Sequence, residues 1–192
     1  WPAERPAIVR ARGPRPAEFA AGREAARTAL VALGHAPAAI RQGPDRAPVW
    51  PAGVAGSITH AGGVALAVVG AASRWAGLGV DLEPDLPLDP ETAAVIRAAD
   101  DPADAMAVFC AKEAVFKAQF PATRAMINFS AARIAAGFDT ATLGHDPRLP
   151  LGWRGRSLPL WVARGGGVVV VLCAPSATEL PPTGRDSARA AV

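Results

Sequence analysis

Four charged residues of this sequence have the types and spacing of a metal-assisted site. Asp81 and Glu83 alternate with apolar residues in a short stretch typical of a β-strand, where side chains two positions apart share one face. Glu113 and Lys117 are four residues apart in a stretch with helical periodicity, so they lie on one side of a helix. Taken alone, such a pair is more often an exposed ion pair on an amphipathic helix.

The two acids on the strand favour a functional interpretation of that pair. Their Cα atoms are expected roughly 6.5 Å apart, and two carboxylates at that distance repel each other unless a cation lies between them. With Glu113 from the helix, three carboxylates can surround one hard divalent ion. Oxygen ligands with room for water suit Mg²⁺ better than Zn²⁺. The residues therefore predict a magnesium site formed by Asp81, Glu83 and Glu113.

Further polar residues precede these acids in the chain. Ser57 and His60 lie near a glycine, where the backbone can approach a ligand closely, although a lone histidine is more often a structural hydrogen-bonding residue. Arg23 and Arg27 are four residues apart on a predicted helix, and Arg46 lies in a predicted loop. The two helical arginines are either solvated residues of an exposed face or a clamp for phosphate groups.

Length and composition favour one globular domain, or two small lobes that share a core, because 51% of the residues are hydrophobic. The net charge of +3 gives no reason to expect nucleic-acid binding. Cys110 and Cys173 form neither a disulfide framework nor a C-x-x-C metal motif, so a reducing, cytoplasmic location is expected. No apolar run approaches the ~20 residues of a membrane span, and no signal-peptide pattern is found.

The order of the predicted elements indicates an α+β fold. Long helices are expected over residues 17–33 and from Asp101 to Pro121, with a short helix over residues 91–99. Strands are expected at residues 7–10, 54–60, 64–69, 78–83, 127–135, 140–143, 158–163 and 168–174. The proline-rich segment 84–90 is the best boundary and gives an N-terminal lobe of residues 1–86 and a C-terminal lobe of residues 87–192. The tail, residues 175–192, is expected to be frayed.

Three segments together carry a family resemblance. Gly56-Ser-Ile-Thr-His60, Gly79-Val-Asp-Leu-Glu83 and Phe109-Cys-Ala-Lys-Glu-Ala-Val-Phe-Lys117 resemble, in order and residue type, the three signature motifs of 4′-phosphopantetheinyl transferases. Residues 18–27 and 46–51 resemble the N-terminal region of the enterobactin-synthase-component branch of the monomeric type. The resemblance extends over residues 15–120, and only the three motifs in combination are specific.

The resemblance implies a fold and a reaction. The fold would consist of two similar α+β lobes related by a pseudo-twofold axis, each a small, mostly antiparallel sheet packed on a long helix, with coenzyme A in the cleft between them. The enzyme would transfer the 4′-phosphopantetheine arm of coenzyme A to a serine of an apo acyl or peptidyl carrier protein, releasing 3′,5′-ADP. Such enzymes serve siderophore, nonribosomal peptide and polyketide synthesis. A monomer that meets an acidic helical carrier domain, without nucleic-acid or membrane partners, is expected.

The resemblance also implies roles for individual residues. Asp81, Glu83 and Glu113 match the Mg²⁺-binding acids, and Glu113 would accept the proton of the attacking serine, directly or through a Mg²⁺-bound water. Lys117 matches the lysine that holds the diphosphate, with Lys112 beside it as a further catalytic residue. Residues matching coenzyme A contacts, besides Lys117, are Ser57 and His60 at the phosphates and Arg23, Arg27 and Arg46 at the 3′-phosphate and adenine end.

Two other functions are compatible with the same residues. One is a Mg²⁺-dependent hydrolase that cleaves a nucleotide diphosphate with water and needs no carrier protein. The other is a non-enzymatic module that binds a nucleotide or coenzyme A. Three clustered acids argue against the second alternative, because phosphate binding alone favours basic residues.

Overall fold

The computed structural model of the chain describes residues 1–180; residues 181–192, which include most of the segment expected to be frayed, lie outside this description. The α-helices are Arg15–Ala32 (α1), Pro90–Ile96 (α2) and Ala105–Thr123 (α3). The strands are Val54–Ala61 (β1), Val64–Ala71 (β2), Gly79–Pro84 (β3), Ala132–Ile134 (β4), Thr140–Leu143 (β5), Ser157–Gly165 (β6) and Val168–Cys173 (β7). None of the helices within residues 1–180 has the length and apolar character needed to cross a membrane.

The strands form two sheets in which every pair is antiparallel. β1 and β2 form a two-stranded sheet, and α1 packs against both of these strands. The other five strands form a sheet in the order β3-β7-β6-β5-β4, and α3 packs against β3 and β7. We call these the first layer and the second layer. The arrangement confirms the predicted α+β fold, in which each sheet lies on one long helix.

Strand β3 joins the second layer although it follows the first sheet in sequence. Its backbone hydrogen-bonds to β7, with Asp81 opposite Val171 and Glu83 opposite Val169. The lobe boundary at residue 86 stays a prediction, but this pairing places β3 with the C-terminal strands rather than with β1 and β2. Local sequence does not encode this choice, because an apolar strand can add to either sheet.

The second layer holds most of the core, because α3 is buried along most of its length. Its buried apolar residues form one cluster with those of β7 that extends to Trp153, which is 2% exposed, and α3 also packs against β3. The buried apolar residues of α3 are Ala107, Val108, Cys110, Ala111, Ala114, Val115, Ala118 and Phe120. A smaller cluster lies under α1, where Ala26 and Leu30 meet Ile40 and Val54.

Two glycines allow β3 to approach α3 closely. A Cβ atom at Gly79 would lie 1.8 Å from the carbonyl oxygen of Ala114, and one at Gly77 would lie 2.0 Å from that of Ala118. No side chain fits at such distances, so space alone requires glycine here. The close approach brings the acids of β3 next to the charged residues of α3.

The prediction of a strand at residues 7–10 is wrong. Residues Pro2–Ile8 form a 3₁₀ helix instead. Pro2 and Pro6 fix φ near the helical value and favour the 3₁₀ helix, which continues through Ala7 and Ile8. The prediction of a strand over residues 127–135 is correct only at its end, since a 3₁₀ turn, Phe129–Ala131, precedes β4.

Both ends of α3 differ from the sequence-based expectation. Asp104, not Asp101, is the N-cap, because its side chain accepts a hydrogen bond from the N–H of Ala107 at 3.0 Å. The helix passes through Pro121 and ends at Arg124, whose φ of 59° is left-handed. Asp101 is free to turn inward because it does not cap the helix.

Candidate active site

A lysine of α3 is paired with an aspartate of β3. The ammonium of Lys117 donates hydrogen bonds to Oδ1 of Asp81 at 2.5 Å and to the carbonyl oxygen of Val80 at 3.2 Å. The hydroxyl of Thr59 on β1 donates to the same Oδ1 at 3.0 Å. The Asp81 side chain is 5% exposed and the Lys117 side chain 26%. A buried carboxylate is thus neutralised by a cation that still reaches solvent.

Glu83 and Glu113 belong to the same electrostatic cluster. Burial raises the pKa of Glu113, and the negative charge of Asp81 raises it further, against the effect of Lys117. Burial also raises the pKa of Glu83, with further increases from Asp81 and Glu113 and an opposing effect of Lys117. The structure therefore brings together all four residues that the sequence singled out first. We call these four residues the acid–lysine cluster.

The acid–lysine cluster contains a buried oxygen atom without a hydrogen-bond partner. Among residues 1–180, no group donates a hydrogen bond to Oδ2 of Asp81. A buried carboxylate oxygen without a partner destabilises the folded state unless a cation or a water molecule binds to it. No three His, Cys, Asp or Glu side chains of the described chain are already gathered as a metal-binding group. The three acids nevertheless suit a hard divalent ion by donor type, and Glu83 and Glu113 lie near enough to Asp81 for its charge to raise the pKa of both.

Strand β1 divides its polar residues between two faces. Ser57 accepts a hydrogen bond from the N–H of Val80 at 3.1 Å, and Thr59 reaches Asp81, so both hold β1 against β3. Ile58 and His60, on the alternate face, line a small cavity on the α1 side. Ser57 and His60 therefore lie on opposite faces, as expected for two residues three positions apart on one strand.

A cleft of about 570 Å³ lies between the first layer and α3. The loop 42–50 and β1 form one side, and the C-terminal half of α3 forms the other. Its cationic residues are Arg15, Arg46, Lys117 and Arg124, its acidic residues are Asp45 and Glu113, and its larger apolar residues are Trp50, Ile58, Phe116, Phe120 and Met126. The cleft can thus accept a ligand that combines several negative charges with a flat apolar group.

Asp45 and Arg124 form an ion pair across this cleft. Asp45 belongs to the loop 42–50 of the first layer, and Arg124 follows the last turn of α3. The Arg124 guanidinium also lies 5.7 Å from the centre of the Phe120 ring. Both side chains are partly exposed, so the ion pair closes the cleft on its solvent side without being buried.

A smaller cavity of about 140 Å³ adjoins the cleft and contains the predicted phosphate-contacting residues Arg23, Arg46 and His60. His60 Nε2 lies 3.0 Å from a guanidinium nitrogen of Arg15. Arg23 donates through Nε to the carbonyl oxygen of Ile40 at 2.8 Å and stacks over the Phe19 ring at 4.1 Å. These arginines give the α1 side of the cleft its positive charge, and Glu18, which lines the same cavity 3.7 Å from Nδ1 of His60, offsets part of it.

Arg15 is a cleft residue that the sequence-based analysis missed. It is the first residue of α1, and it lines both the cleft and the smaller cavity. The spacing of Arg15, Phe19 and Arg23 by fours was the available signal, because such residues share one helix face. Gln42 lines the same two cavities and was also missed, since nothing in a loop sequence shows which side chains turn inward.

Arg27 lies away from the cleft. Its guanidinium pairs with Glu4 at 2.8 Å and with Glu24 at 2.8 Å, beside the ring of Trp1. Each residue advances a helix by about 100°, so Arg27 is rotated about 120° from Arg15 and faces another side of α1. The structure therefore separates Arg27 from the other predicted coenzyme A contacts.

Lys112 is also turned away from the acid–lysine cluster. Its ammonium donates to the carbonyl oxygen of Ile96 at 2.8 Å and to Asp101 at 2.5 Å, in a setting where its side chain is 2% exposed. Five residues along a helix correspond to a rotation of about 140°, which places Lys112 on a different face from Lys117. Its predicted catalytic contact with a diphosphate is not compatible with this direction.

An apolar pocket of about 300 Å³ continues from the cleft. Glu113, Phe116 and Met126 line both, so Glu113 stands where the charged cleft meets the apolar pocket. The remaining residues of the pocket are Lys112, Ile127, Asn128, Phe129 and Ala132. The sequence did not predict this pocket, because its outer wall comes from the irregular segment 126–132.

Comparison with known proteins identifies the family. Residues 3–70 match the 4′-phosphopantetheinyl transferase N-terminal domain, and residues 77–163 match the 4′-phosphopantetheinyl transferase superfamily. The chain is 39% identical to the 4′-phosphopantetheinyl transferase PptT of Mycobacterium tuberculosis, over 81% of this chain and 69% of that protein. The chain belongs to the 4′-phosphopantetheinyl transferase superfamily.

Two further transferases are similar to the chain. The enzyme Npt of Nocardia iowensis is 36% identical over 69% of this chain and 64% of its own length, and Svp of Streptomyces mobaraensis is 34% identical over 93% and 80%. Enzymes of this superfamily act on carrier proteins, use coenzyme A as substrate and usually require a divalent metal. The predicted family and enzyme class are confirmed, whereas the enterobactin-synthase branch stays a prediction.

Proposed function

We propose that the chain transfers the 4′-phosphopantetheine arm of coenzyme A to a serine hydroxyl of an apo acyl or peptidyl carrier protein and releases 3′,5′-ADP. The position of Glu113, at the junction of the charged cleft and the apolar pocket, carries this proposal. Coenzyme A has a matching division, since an anionic nucleotide is joined through a diphosphate to an uncharged arm. The diphosphate would lie at the junction, beside the acid–lysine cluster.

The nucleotide would occupy the cleft on its α1 side. Arg15, Arg23, Arg46 and His60 offer donors to the phosphate groups, and Trp50 offers a flat apolar surface. Ser57 also lines the cleft, and because its oxygen only accepts from the N–H of Val80, its hydroxyl can still donate to a phosphate oxygen. The arm would lie in the apolar pocket, where its chain has no charge to compensate.

Lys117 and Glu113 have separate roles in the proposed reaction. The Lys117 ammonium, which holds Asp81 and still reaches solvent, would hold a diphosphate oxygen and offset its charge. Glu113 would accept the proton of the serine hydroxyl, and its raised pKa makes it a better base. The serine oxygen would bond to the phosphorus that carries the arm, as the bond from that phosphorus to the oxygen of 3′,5′-ADP breaks.

Asp81, Glu83 and Glu113 would hold the divalent ion, for which we propose Mg²⁺ because all three donors are hard oxygen ligands. The unpartnered Oδ2 of Asp81 supports this assignment. When bound, the ion supplies positive charge to the diphosphate and to the leaving oxygen. Coordination of a metal ion lowers the basicity of a carboxylate. Glu113 would therefore be a better base if Asp81 and Glu83 bound the ion more closely than Glu113 does.

Intact-protein mass spectrometry tests the proposal. An apo carrier protein incubated with the chain, coenzyme A and Mg²⁺ should gain one phosphopantetheine, and neither EDTA-treated samples nor the Glu113→Gln variant should produce this gain. The variant should still bind coenzyme A, which separates an enzyme from a binding module. Release of 3′,5′-ADP without a carrier protein would instead identify the hydrolase. No gain on several unrelated carrier proteins, from protein that binds coenzyme A, would reject the transferase.

The remaining predictions concern the setting of this activity. A monomer in the cytoplasm that serves siderophore, nonribosomal peptide or polyketide synthesis stays our proposal. The net charge of +3 suits an acidic carrier domain as partner. Division of the chain into lobes at residue 86 is likewise proposed, with the cleft between them as the active site.

A further inference from the structure

A buried ion pair in the second layer lies outside the acid–lysine cluster. The ammonium of Lys112 on α3 is 2.5 Å from Oδ2 of Asp101, in the connection between α2 and α3. The two side chains are 2% and 0% exposed. The same ammonium donates to the carbonyl oxygen of Ile96, the last residue of α2. A pair this deeply buried costs much desolvation, so it needs further hydrogen bonds to be retained.

Asp101 receives those further hydrogen bonds from two other segments. Its Oδ1 accepts from the N–H of Ile134 on β4 at 2.8 Å, and its Oδ2 accepts from the N–H of Ala98 at 2.7 Å. Burial opposes ionisation of Asp101, but these donors and Lys112 outweigh it and lower the pKa of the carboxyl group. One carboxylate thus connects α3, the α2–α3 connection and β4.

The ion pair joins the two walls of the apolar pocket. Lys112, Glu113 and Phe116 of α3 form one wall, and residues 126–129 with Ala132 form the other. Ile134 lies two residues beyond Ala132 on the same strand. The distance between the walls is therefore fixed through Lys112, Asp101 and the N–H of Ile134, without any contact to the cleft itself.

We propose that Lys112 and Asp101 are positioning residues that set the width of the apolar pocket and thereby hold the pantetheine arm of coenzyme A beside Glu113. This inference rests on the proposed function, which places the arm in that pocket. It replaces the direct diphosphate contact that the sequence suggested for Lys112. The nucleotide half of coenzyme A meets neither residue.

Comparing the binding of two ligands separates a change in pocket width from a general loss of structure. Coenzyme A carries the arm, whereas 3′,5′-ADP has the same nucleotide and lacks the arm. A pocket of altered width weakens binding of coenzyme A and leaves binding of 3′,5′-ADP unchanged. General loss of structure weakens both, so the ratio of the two dissociation constants separates a positioning role from a merely structural one.

The experiment measures both dissociation constants by calorimetry for the wild-type chain, Asp101→Asn, Lys112→Met and a control, Glu4→Gln. Glu4 is comparable to Asp101, because it is a buried carboxylate that accepts from cations, Arg27 and the ammonium of Trp1, and from the backbone N–H of Ile40. The first two variants should raise the ratio of the coenzyme A constant to the 3′,5′-ADP constant about tenfold, the loss expected when about two CH₂ groups of the arm are no longer buried. The control should leave the ratio unchanged.

Three results would overturn the inference. A ratio equal to that of the wild type in folded Asp101→Asn and Lys112→Met would show that the pair does not position the arm. A wild-type chain that binds 3′,5′-ADP and coenzyme A equally well would show that the arm has no pocket, which rejects its placement in the proposed function as well. Failure of the wild type to bind either ligand would reject the proposed function, and this inference with it.

Hydrogen exchange on the wild-type chain gives a second test that needs no variant to fold. Coenzyme A should slow exchange of the segment containing the Ile134 amide more than 3′,5′-ADP does, because the arm braces the wall that this amide supports. Equal protection by the two ligands would contradict the proposal. The α1 segment, which faces the nucleotide, should be protected equally by both and serves as the internal reference.

Discussion

Lys117 and Asp81 form the ion pair between α3 and β3, with 2.5 Å between Nζ and Oδ1. The pair connects two of the sequence motifs, because Asp81 belongs to the motif on β3 and Lys117 to the motif on α3. It also means that each residue supports the other before any substrate binds: the lysine neutralises a buried carboxylate, and the carboxylate directs the ammonium toward the cleft.

Loss of the Lys117 charge should abolish most of the activity. Lys117→Met removes the cation that would offset the diphosphate charge, so we expect the rate of carrier modification to fall about 100- to 1,000-fold. The matched variant Lys117→Arg keeps the charge and should retain more activity. The measurement is the initial rate by intact-protein mass spectrometry. Equal rates for the methionine and arginine variants would show that the positive charge at position 117 does not determine the rate.

Removal of Glu113 should stabilise the metal-free fold while it abolishes transfer. The folded state raises the Glu113 pKa above the ordinary 4.5, so the unfolded chain ionises more readily. The contribution of Glu113 to stability is therefore complete below pH 4.5 and is lost as pH rises through the raised value. Glu113→Gln should gain thermal stability over the wild type in EDTA as pH rises through that window.

The control for this pH dependence is Glu91→Gln, at an exposed position on α2. Its melting temperature should follow that of the wild type at every pH. A difference between Glu113→Gln and the wild type that stays constant between acid and neutral pH would contradict the assigned direction of the pKa change.

Addition of Mg²⁺ should stabilise the chain through Asp81. A ligand that binds only the folded state raises its stability by mass action, by about 2.7 kcal/mol at 100 times the dissociation constant. Asp81→Asn removes the carboxylate with the unpartnered oxygen, so the melting temperature of this variant should respond little to Mg²⁺. A full response in the variant would place the ion elsewhere.

Two arginines of α1 should differ in what they support. Arg15→Ala should weaken 3′,5′-ADP binding about tenfold, because charge-assisted hydrogen bonds contribute about 1.5–3 kcal/mol each. Arg27→Ala should mainly lower thermal stability, since its partners are Glu4 and Glu24. Calorimetry and thermal melts on both variants check this division. Weakened binding in Arg27→Ala, at a temperature where it is folded, would restore the role suggested by the motif.

A single methyl group at Gly79 should disrupt the seam between β3 and α3. Gly79→Ala places a Cβ atom 1.8 Å from a backbone oxygen that cannot move without moving the helix, so we expect a loss of at least about 3 kcal/mol in unfolding free energy. Gly165→Ala is the control, because no atom lies within 4 Å of its Cβ position. Denaturant titrations of both variants provide the measurement, and similar losses in the two would refute the steric explanation.

The sequence predicted the chemistry of the site better than its boundaries. Residues with a fixed local period, such as Asp81 with Glu83 and Glu113 with Lys117, lie together because strand and helix geometry hold at short range. The same helical period, applied over longer spans, places Arg27 on another face from Arg15 and Lys112 on another face from Lys117, so neither joins the site. The apolar pocket and the pairing of β3 with β7 depend on contacts between distant segments, which no local pattern contains.

The absence of side chains at Gly77 and Gly79 has a consequence for motion. The backbones of strand and helix approach closely there, so we expect the residues of the acid–lysine cluster to move together. Ser57 and Thr59 attach β1 to the same body. Opening of the cleft for substrate exchange would instead break the partly exposed Asp45–Arg124 ion pair, which joins the loop 42–50 to the end of α3. Substrate exchange can proceed there while the reacting groups keep their alignment.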